Sequence, residues 1–187
     1  MKYTIIAGIN GVGKSTIYSS LPAADVKALG KRINVDEIVS GIGDWRDTNA
    51  QFQAGKQAVN EIRTCLRLKI DFHQETTLSG QSILQTVKTA KTLGYDIHLM
   101  YIFVTDIEIA KQRVKERVAL GGHGIPEDII ERRSVTSLKT LKNLVPLCDE
   151  IWLYDNTTAY NLAAKVIDGT IIIMDKRFPQ EILDCVK

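Results

Sequence analysis

The sequence predicts an α/β protein of three layers, with a mainly parallel sheet between two sets of helices. Three observations predict it. Short β-branched runs alternate with segments of helical period along the chain, which is the pattern of a parallel sheet with crossover helices. The runs KYTIIAG and DIHLMYIFV read as buried strands. Gly8, Asp36, Glu75 and Thr105 all fall where such runs end, on the rim where open α/β sheets bind their ligands.

The elements follow in order. KYTIIAG, residues 2–8, is a strand stopped by glycine, and KSTIYSSL, 14–21, starts a helix. KRINVD is a second short strand ending at Asp36. Residues 47–68 carry helical spacing, with Phe52, Val59, Ile62 and Leu66 expected on the buried stripe. KIDFHQE is a third strand ending near Glu75. Residues 80–94 predict a helix with Ile83, Leu84, Val87 and Ala90 on one stripe and Gly94 as its stop. DIHLMYIFV is the fourth strand. Residues 106–120 predict a helix with acids at its start, where the helix dipole favours them. GGHGIP breaks the chain, and Pro126 opens a helix over 126–145. EIWLYD and TIIIMD are late strands, the latter on an edge, and the tail FPQEILDCVK is a short helix.

Composition narrows the function. The 187 residues are 44% hydrophobic with a net charge of +2, which suits one globular unit. No block of five like charges appears and aromatic residues are sparse, so neither a nucleic-acid footprint nor a base-stacking platform is expected. Cys65, Cys148 and Cys185 are far apart and form no CxxC or Cys/His metal spacing, so reduced thiols are expected. No secretory leader or long apolar span is seen, and the protein is expected to be cytoplasmic, without membrane contact.

The stretch GINGVGKST, residues 8–16, has a definite chemistry. Glycine is costly to order and adds no packing, so three of them beside a lysine and two hydroxyls need another reason. Gly8, Asn10, Gly11, Val12, Gly13, Lys14, Ser15 and Thr16 fall in the pattern G-x-x-x-x-G-K-[ST], the P-loop. Its glycines let main-chain amides wrap a phosphate, and the helix that follows offers its N-terminus. Lys14 reaches the β and γ phosphates, and the Ser15 hydroxyl serves Mg²⁺. ATP and Mg²⁺ are therefore the expected ligands.

Many unrelated proteins carry a P-loop. NKxD and TKxD are absent, which disfavours a GTPase, and the strand HLMYIFV leads into Thr105-Asp106 without a paired Asp-Glu. A kinase for a small molecule needs a base for the acceptor hydroxyl, a group that binds the acceptor, and arginines for the transferred phosphoryl. Asp36 and Glu75 supply the carboxylates. Arg113 and Arg117 lie four apart on one helix face, and Arg132 and Arg133 follow the GGHGIP break. Adjacent residues point about 100° apart on a helix, so one of the latter pair is expected to reach the site. Residues 117–133 are expected to form a small helical lid on a single unit spanning 1–187. His123 is read as an exposed lid residue and His73 as a packed one. The competing class is a nucleotide-binding switch, or slow NTPase, that regulates a protein partner.

IIAGINGVGKST, INVDEI, ETTLSG, RVKERVALGGHGIPEDIIERR and LYDN occur in that order. Together they resemble the zeta-toxin-like P-loop kinases, in particular a short single-domain branch, from about residue 2 to residue 156. The resemblance implies phosphorylation of a UDP-amino-sugar, UDP-N-acetylglucosamine, by ATP and Mg²⁺. It implies Asp36 as the base, Glu75 and Thr77 as the lining of the acceptor pocket, and one arginine of the Arg113/Arg117 helix on the phosphoryl. It also implies a separate antitoxin protein as partner. The family's lid arginine before a proline is missing here, where the chain reads GHGIP.

Overall fold

A computed structural model describes residues 1–186. β1 (Lys2–Ala7) is buried along nearly its whole length. Its side chains alternate between two cores: Tyr3, Ile5 and Ala7 pack in one, Ile6 in the other. That alternation is what a strand must show when helices cover both faces.

The other strands are β2 (Lys31–Ile33), β3 (Phe72–Thr76), β4 (Asp96–Phe103), β5 (Glu150–Asp155), β6 (Asn161–Ile167) and β7 (Thr170–Met174). They form one seven-stranded sheet in the order β2-β3-β1-β4-β5-β6-β7. β1 to β5 pair in parallel, and β5-β6 and β6-β7 pair antiparallel. The expected three-layer architecture is the observed one. The helices are α1 (Ile17–Ser20), α2 (Ala23–Ala28), α3 (Val35–Ile42), α4 (Thr48–Leu68), α5 (Ser82–Thr92), α6 (Ile107–Ala119), α7 (Glu127–Leu144) and α8 (Gln180–Leu183).

Several elements depart from the sequence expectation. α2 is a helix the sequence pattern does not predict, and β2 stops at Ile33, so Asp36 lies in the first turn of α3 and not at a strand end. β6 is a strand the sequence pattern does not predict; Asp168 and Gly169, both at positive φ (48° and 73°), turn it into β7, as an Asp-Gly hairpin requires. The stripe expected on α4 is partly wrong. Phe52 and Val59 face solvent, and the buried side is Ala50, Ala54, Ala58, Cys65 and Leu66. Small residues at four-residue spacing let α4 lie close to its neighbours, while Phe52, Val59 and Leu68 lie outside; Leu66 is buried and Ile62 packs on the core, as the stripe predicts. The helix after the P-loop is short: a 3₁₀ turn at Lys14–Thr16, then α1, ended by Leu21 and Pro22. Elsewhere the agreement is close. Asp47 caps α4 by accepting from the Asn49 amide, and Gly94 (φ 82°) follows α5, with the Tyr95 amide returning to the Ala90 carbonyl. Among the described residues no helix is long and apolar enough to cross a membrane.

Candidate active site

The loop leaving β1 is built around backbone conformations that only glycine adopts freely. Gly8, Gly11 and Gly13 all have positive φ (142°, 85° and 93°). The Gly8 amide donates to the Thr76 carbonyl at 3.2 Å, which ties the loop to β3. The amides of Gly11, Val12 and Gly13 have no backbone acceptor among the described residues. A turn of free donors beside a lysine is the arrangement an anion requires. The Lys14 Nζ donates to the Ile9 carbonyl at 3.1 Å. Burial pushes its ammonium down to about 8, opposed by Glu75 and Asp36 and helped by Arg117 and Arg133. Thr16 closes the turn, its amide on the Gly13 carbonyl at 2.9 Å.

Glu75 sits on β3 opposite Ile6 of β1, so the strand order delivers it directly to the P-loop. Its carboxylate is buried and accepts from the Ser15 hydroxyl at 2.8 Å, the Arg32 guanidinium at 2.6 Å and the Asn34 amide at 2.9 Å. A serine hydroxyl and a carboxylate held together beside a phosphate cradle are hard oxygen donors of the kind Mg²⁺ takes. Among the described residues no group of three or more His, Cys, Asp or Glu is gathered for a metal. An ion here would draw its other ligands from phosphate and water, as Mg²⁺ commonly does. Thr77 lies past the end of β3, its hydroxyl hydrogen-bonded to that of Ser79 at 2.7 Å.

Asn34 is the cap of α3: its side chain accepts from the Asp36 amide at 2.9 Å. This leaves the Asp36 carboxylate exposed in the first turn. Its charge acts on Lys14, His123 and Arg133.

The four arginines have four different settings. Arg117 is partly buried, and its Nε and one Nη have no hydrogen-bond partner. Its charge lowers the pKa of Lys14 and of His123. Arg133 reaches the P-loop, donating to the Asn10 Oδ1 at 2.6 Å. Arg132, its neighbour on α7, is exposed. Arg113 is turned away from the cradle, donating to the carbonyls of Asn156 and Thr157 at 2.9 and 3.0 Å. Of the adjacent pair one reaches the P-loop, as the helix geometry required.

The 120–126 connection folds down over this cluster. Gly122 lies against the Arg117 stem, where a Cβ would come within 2.6 Å of its Cγ, and Gly124 lies against Trp45, where one would come within 2.9 Å. His123 packs on Trp45 with ring centroids 4.9 Å apart, and its Nδ1 is buried without a partner. It is therefore not the exposed residue expected from sequence. Burial lowers its pKa. His73 is packed as expected, its Nδ1 on the Leu29 carbonyl at 3.2 Å.

Sequence reasoning missed Asn34, Arg32, Trp45, Asn156 and Tyr160. Arg32 bridges Glu75 and Glu37 and lies 4.2 Å over the Tyr18 ring. Asn156 and Tyr160 bond the P-loop from the opposite side, the first at the Val12 carbonyl (2.8 Å), the second at the Gly13 carbonyl. The LYDN stretch after a predicted strand held the signal for Asn156; the others are single polar or aromatic residues, in loops or, for Arg32, on the short β2, without a spacing to mark them.

A P-loop at the end of the first strand, a parallel sheet and a carboxylate on the adjacent strand define the P-loop kinase-like fold. Solved structures share it. The chain is 20% identical to the AvrRxo1-ORF1:-ORF2 complex solved with ATP, with a TM-score of 0.70 over 92% of this chain and 60% of that one. The native AvrRxo1 complex gives 18%, a TM-score of 0.73, and 100% and 63% coverage. The PezAT toxin–antitoxin system of Streptococcus pneumoniae gives 14%, 0.64, and 98% and 84%. The chain thus spans somewhat over half of the AvrRxo1 chains, and these likenesses show the fold. No known family profile matches the sequence. The chain is 39% identical over 132 residues to an uncharacterized protein of Haemophilus influenzae, covering 71% of this chain and 91% of that one, and it belongs to the same family.

Proposed function

We propose that this protein transfers the γ-phosphoryl of ATP to a hydroxyl of a small molecule. One observation carries the reading: the cations of Lys14, Arg117 and Arg133 gather beside a loop of unpaired amides, with the Asp36 carboxylate facing them. The unpartnered Arg117 nitrogens lack an anion, and a triphosphate supplies one.

The loop amides and Lys14 hold the β and γ phosphates. Ser15 and Glu75 hold Mg²⁺, which when bound draws charge from the phosphate oxygens. Arg117 and Arg133 neutralise the phosphoryl as it moves. Asp36 takes the proton from the acceptor hydroxyl as its oxygen bonds to phosphorus and the bond to ADP breaks. Residues 1–187 act as one kinase unit, with 117–133 as the lid that Gly122 and Gly124 pack shut over Arg117 and Trp45. Arg132 has no role in the transfer.

The acceptor we propose is a UDP-amino-sugar such as UDP-N-acetylglucosamine, with Thr77 lining its pocket and the reaction cytoplasmic. The resemblance to zeta toxins supports this acceptor. The fold shared with PezAT, a toxin–antitoxin system, and with AvrRxo1-ORF1, solved with its ORF2 and ATP, supports ATP as donor and a separate protein partner. A separate antitoxin is the partner this implies. The test is incubation with γ-labelled ATP, Mg²⁺ and a panel of UDP-sugars, nucleosides and free sugars. Label should appear on a UDP-amino-sugar. Turnover indifferent to every acceptor, but altered by a protein partner, would replace the kinase with the switch.

A further inference from the structure

Each peptide group carries its C=O and N–H on opposite edges of one plane. Pinning the carbonyl of residue n outward therefore turns the amide of residue n+1 inward. The connection after β5 does this to two successive peptides of the P-loop. The Asn156 side-chain amide donates to the Val12 carbonyl at 2.8 Å, and the Tyr160 hydroxyl donates to the Gly13 carbonyl. The amides so directed are those of Gly13 and Lys14.

The donors are themselves held. Asn156 is buried, and its own amide donates to the Phe103 carbonyl at 2.8 Å. Its carbonyl and that of Thr157 accept from Arg113 at 2.9 and 3.0 Å. The Tyr160 ring packs edge-on against Tyr154, centroids 6.2 Å apart. The contact with the loop is close: a Cβ on Gly13 would meet the Asn156 Nδ2 at 2.4 Å. Gly13 is thus required for the approach of Asn156 as well as for its own backbone conformation.

We infer that Asn156 and Tyr160, anchored by Arg113 of α6, are positioning residues for the triphosphate: they hold the Val12 and Gly13 carbonyls outward so that the next two amides face the phosphates. The inference rests on the phosphotransferase reading. It also gives Arg113 a place in the machinery different from the phosphoryl contact expected of it. Arg113 and Arg117 lie one turn apart, so α6 serves the P-loop through one arginine and the transferred group through the other.

The experiment is calorimetric titration of the whole chain with Mg·ATP and, separately, with Mg·tripolyphosphate, which has the three phosphates and no nucleoside. Tyr160→Phe removes one oxygen and keeps the ring, so it tests the hydroxyl even where Asn156→Ala lowers stability. Each variant should bind about tenfold more weakly, the value of one well-placed neutral hydrogen bond or somewhat more. The loss should be equal for the two ligands, and Arg113→Met should move both in the same direction. Loss for ATP alone would make these residues nucleoside contacts and overturn the inference. Unchanged affinity in a Tyr160→Phe variant with a native melting profile would overturn it too. Failure of the wild-type chain to bind either ligand would overturn the phosphotransferase reading first and this inference with it.

Discussion

Arg117→Met separates the demands of function from those of folding. Arg117 places its Nε and one Nη out of water with no hydrogen-bond partner, near the like charge of Lys14. Each orphaned donor costs about 1–3 kcal/mol. Methionine keeps an unbranched apolar stem for the contact with Gly122 and removes both donors and the charge. The cost of lost stem contacts offsets part of the gain, so the nucleotide-free variant should be more stable by about 1–3 kcal/mol. For a chain of this length that is a rise in melting temperature of roughly 2–4 °C per kcal/mol. Differential scanning fluorimetry without nucleotide measures it, and the further rise on adding Mg·ATP should shrink. Phosphoryl transfer should fall by about 10² or more, the scale of one lost electrostatic stabiliser. A variant that melts lower without nucleotide and transfers phosphoryl normally would refute the reasoning.

Three more outcomes are expected. Lys14, ordinarily near 10.5 and lowered to about 8 by burial, is charged below pH 8 and largely neutral above it, while bound triphosphate favours the charged form. ATP binding should therefore take up about half a proton at pH 8 and weaken as pH rises further; calorimetry in two buffers of different ionisation enthalpy reads this, and Lys14→Met should abolish it. Asp36→Asn should keep ATP affinity and lose about 10² to 10⁴ in transfer rate, measured under single turnover; wild-type rates would leave Asp36 a solvated helix residue. Glu75→Gln keeps the shape of the Ser15, Arg32 and Asn34 contacts but halves the acceptor oxygens, so the Mg²⁺ concentration for half-maximal transfer should rise about tenfold, seen by magnesium titration at fixed ATP.

The phosphate cradle was legible in the sequence because its chemistry is local: nine consecutive residues, 8–16, contain it. The position of Glu75 at a strand end was legible too, but its neighbour was not. The 96–104 run leads into no acid pair for the P-loop, whereas the strand order sets β3 beside β1 and brings Glu75 to Ser15. Only tertiary pairing decides that. β6 carries a weak sequence signal because Ala163 and Ala164 dilute its strand propensity, although the Asp168-Gly169 pair is a hairpin signal. The first half of α4 presents a different face from the expected one because periodicity counts large apolar residues, and this half of the helix buries alanines. Arg113 and Arg117 share a face and a spacing, yet one turns to loop carbonyls and the other to the cradle. Side-chain direction at that scale depends on what lies opposite, which one sequence does not display.

A crystal structure of the chain with Mg²⁺ and a non-hydrolysable ATP analogue tests the central claim most directly. The account predicts the γ-phosphate among Lys14, Arg117 and Arg133, with the Asp36 carboxylate one hydroxyl group's reach beyond it. A nucleotide bound elsewhere, or an Asp36 turned away from the terminal phosphate, would contradict it.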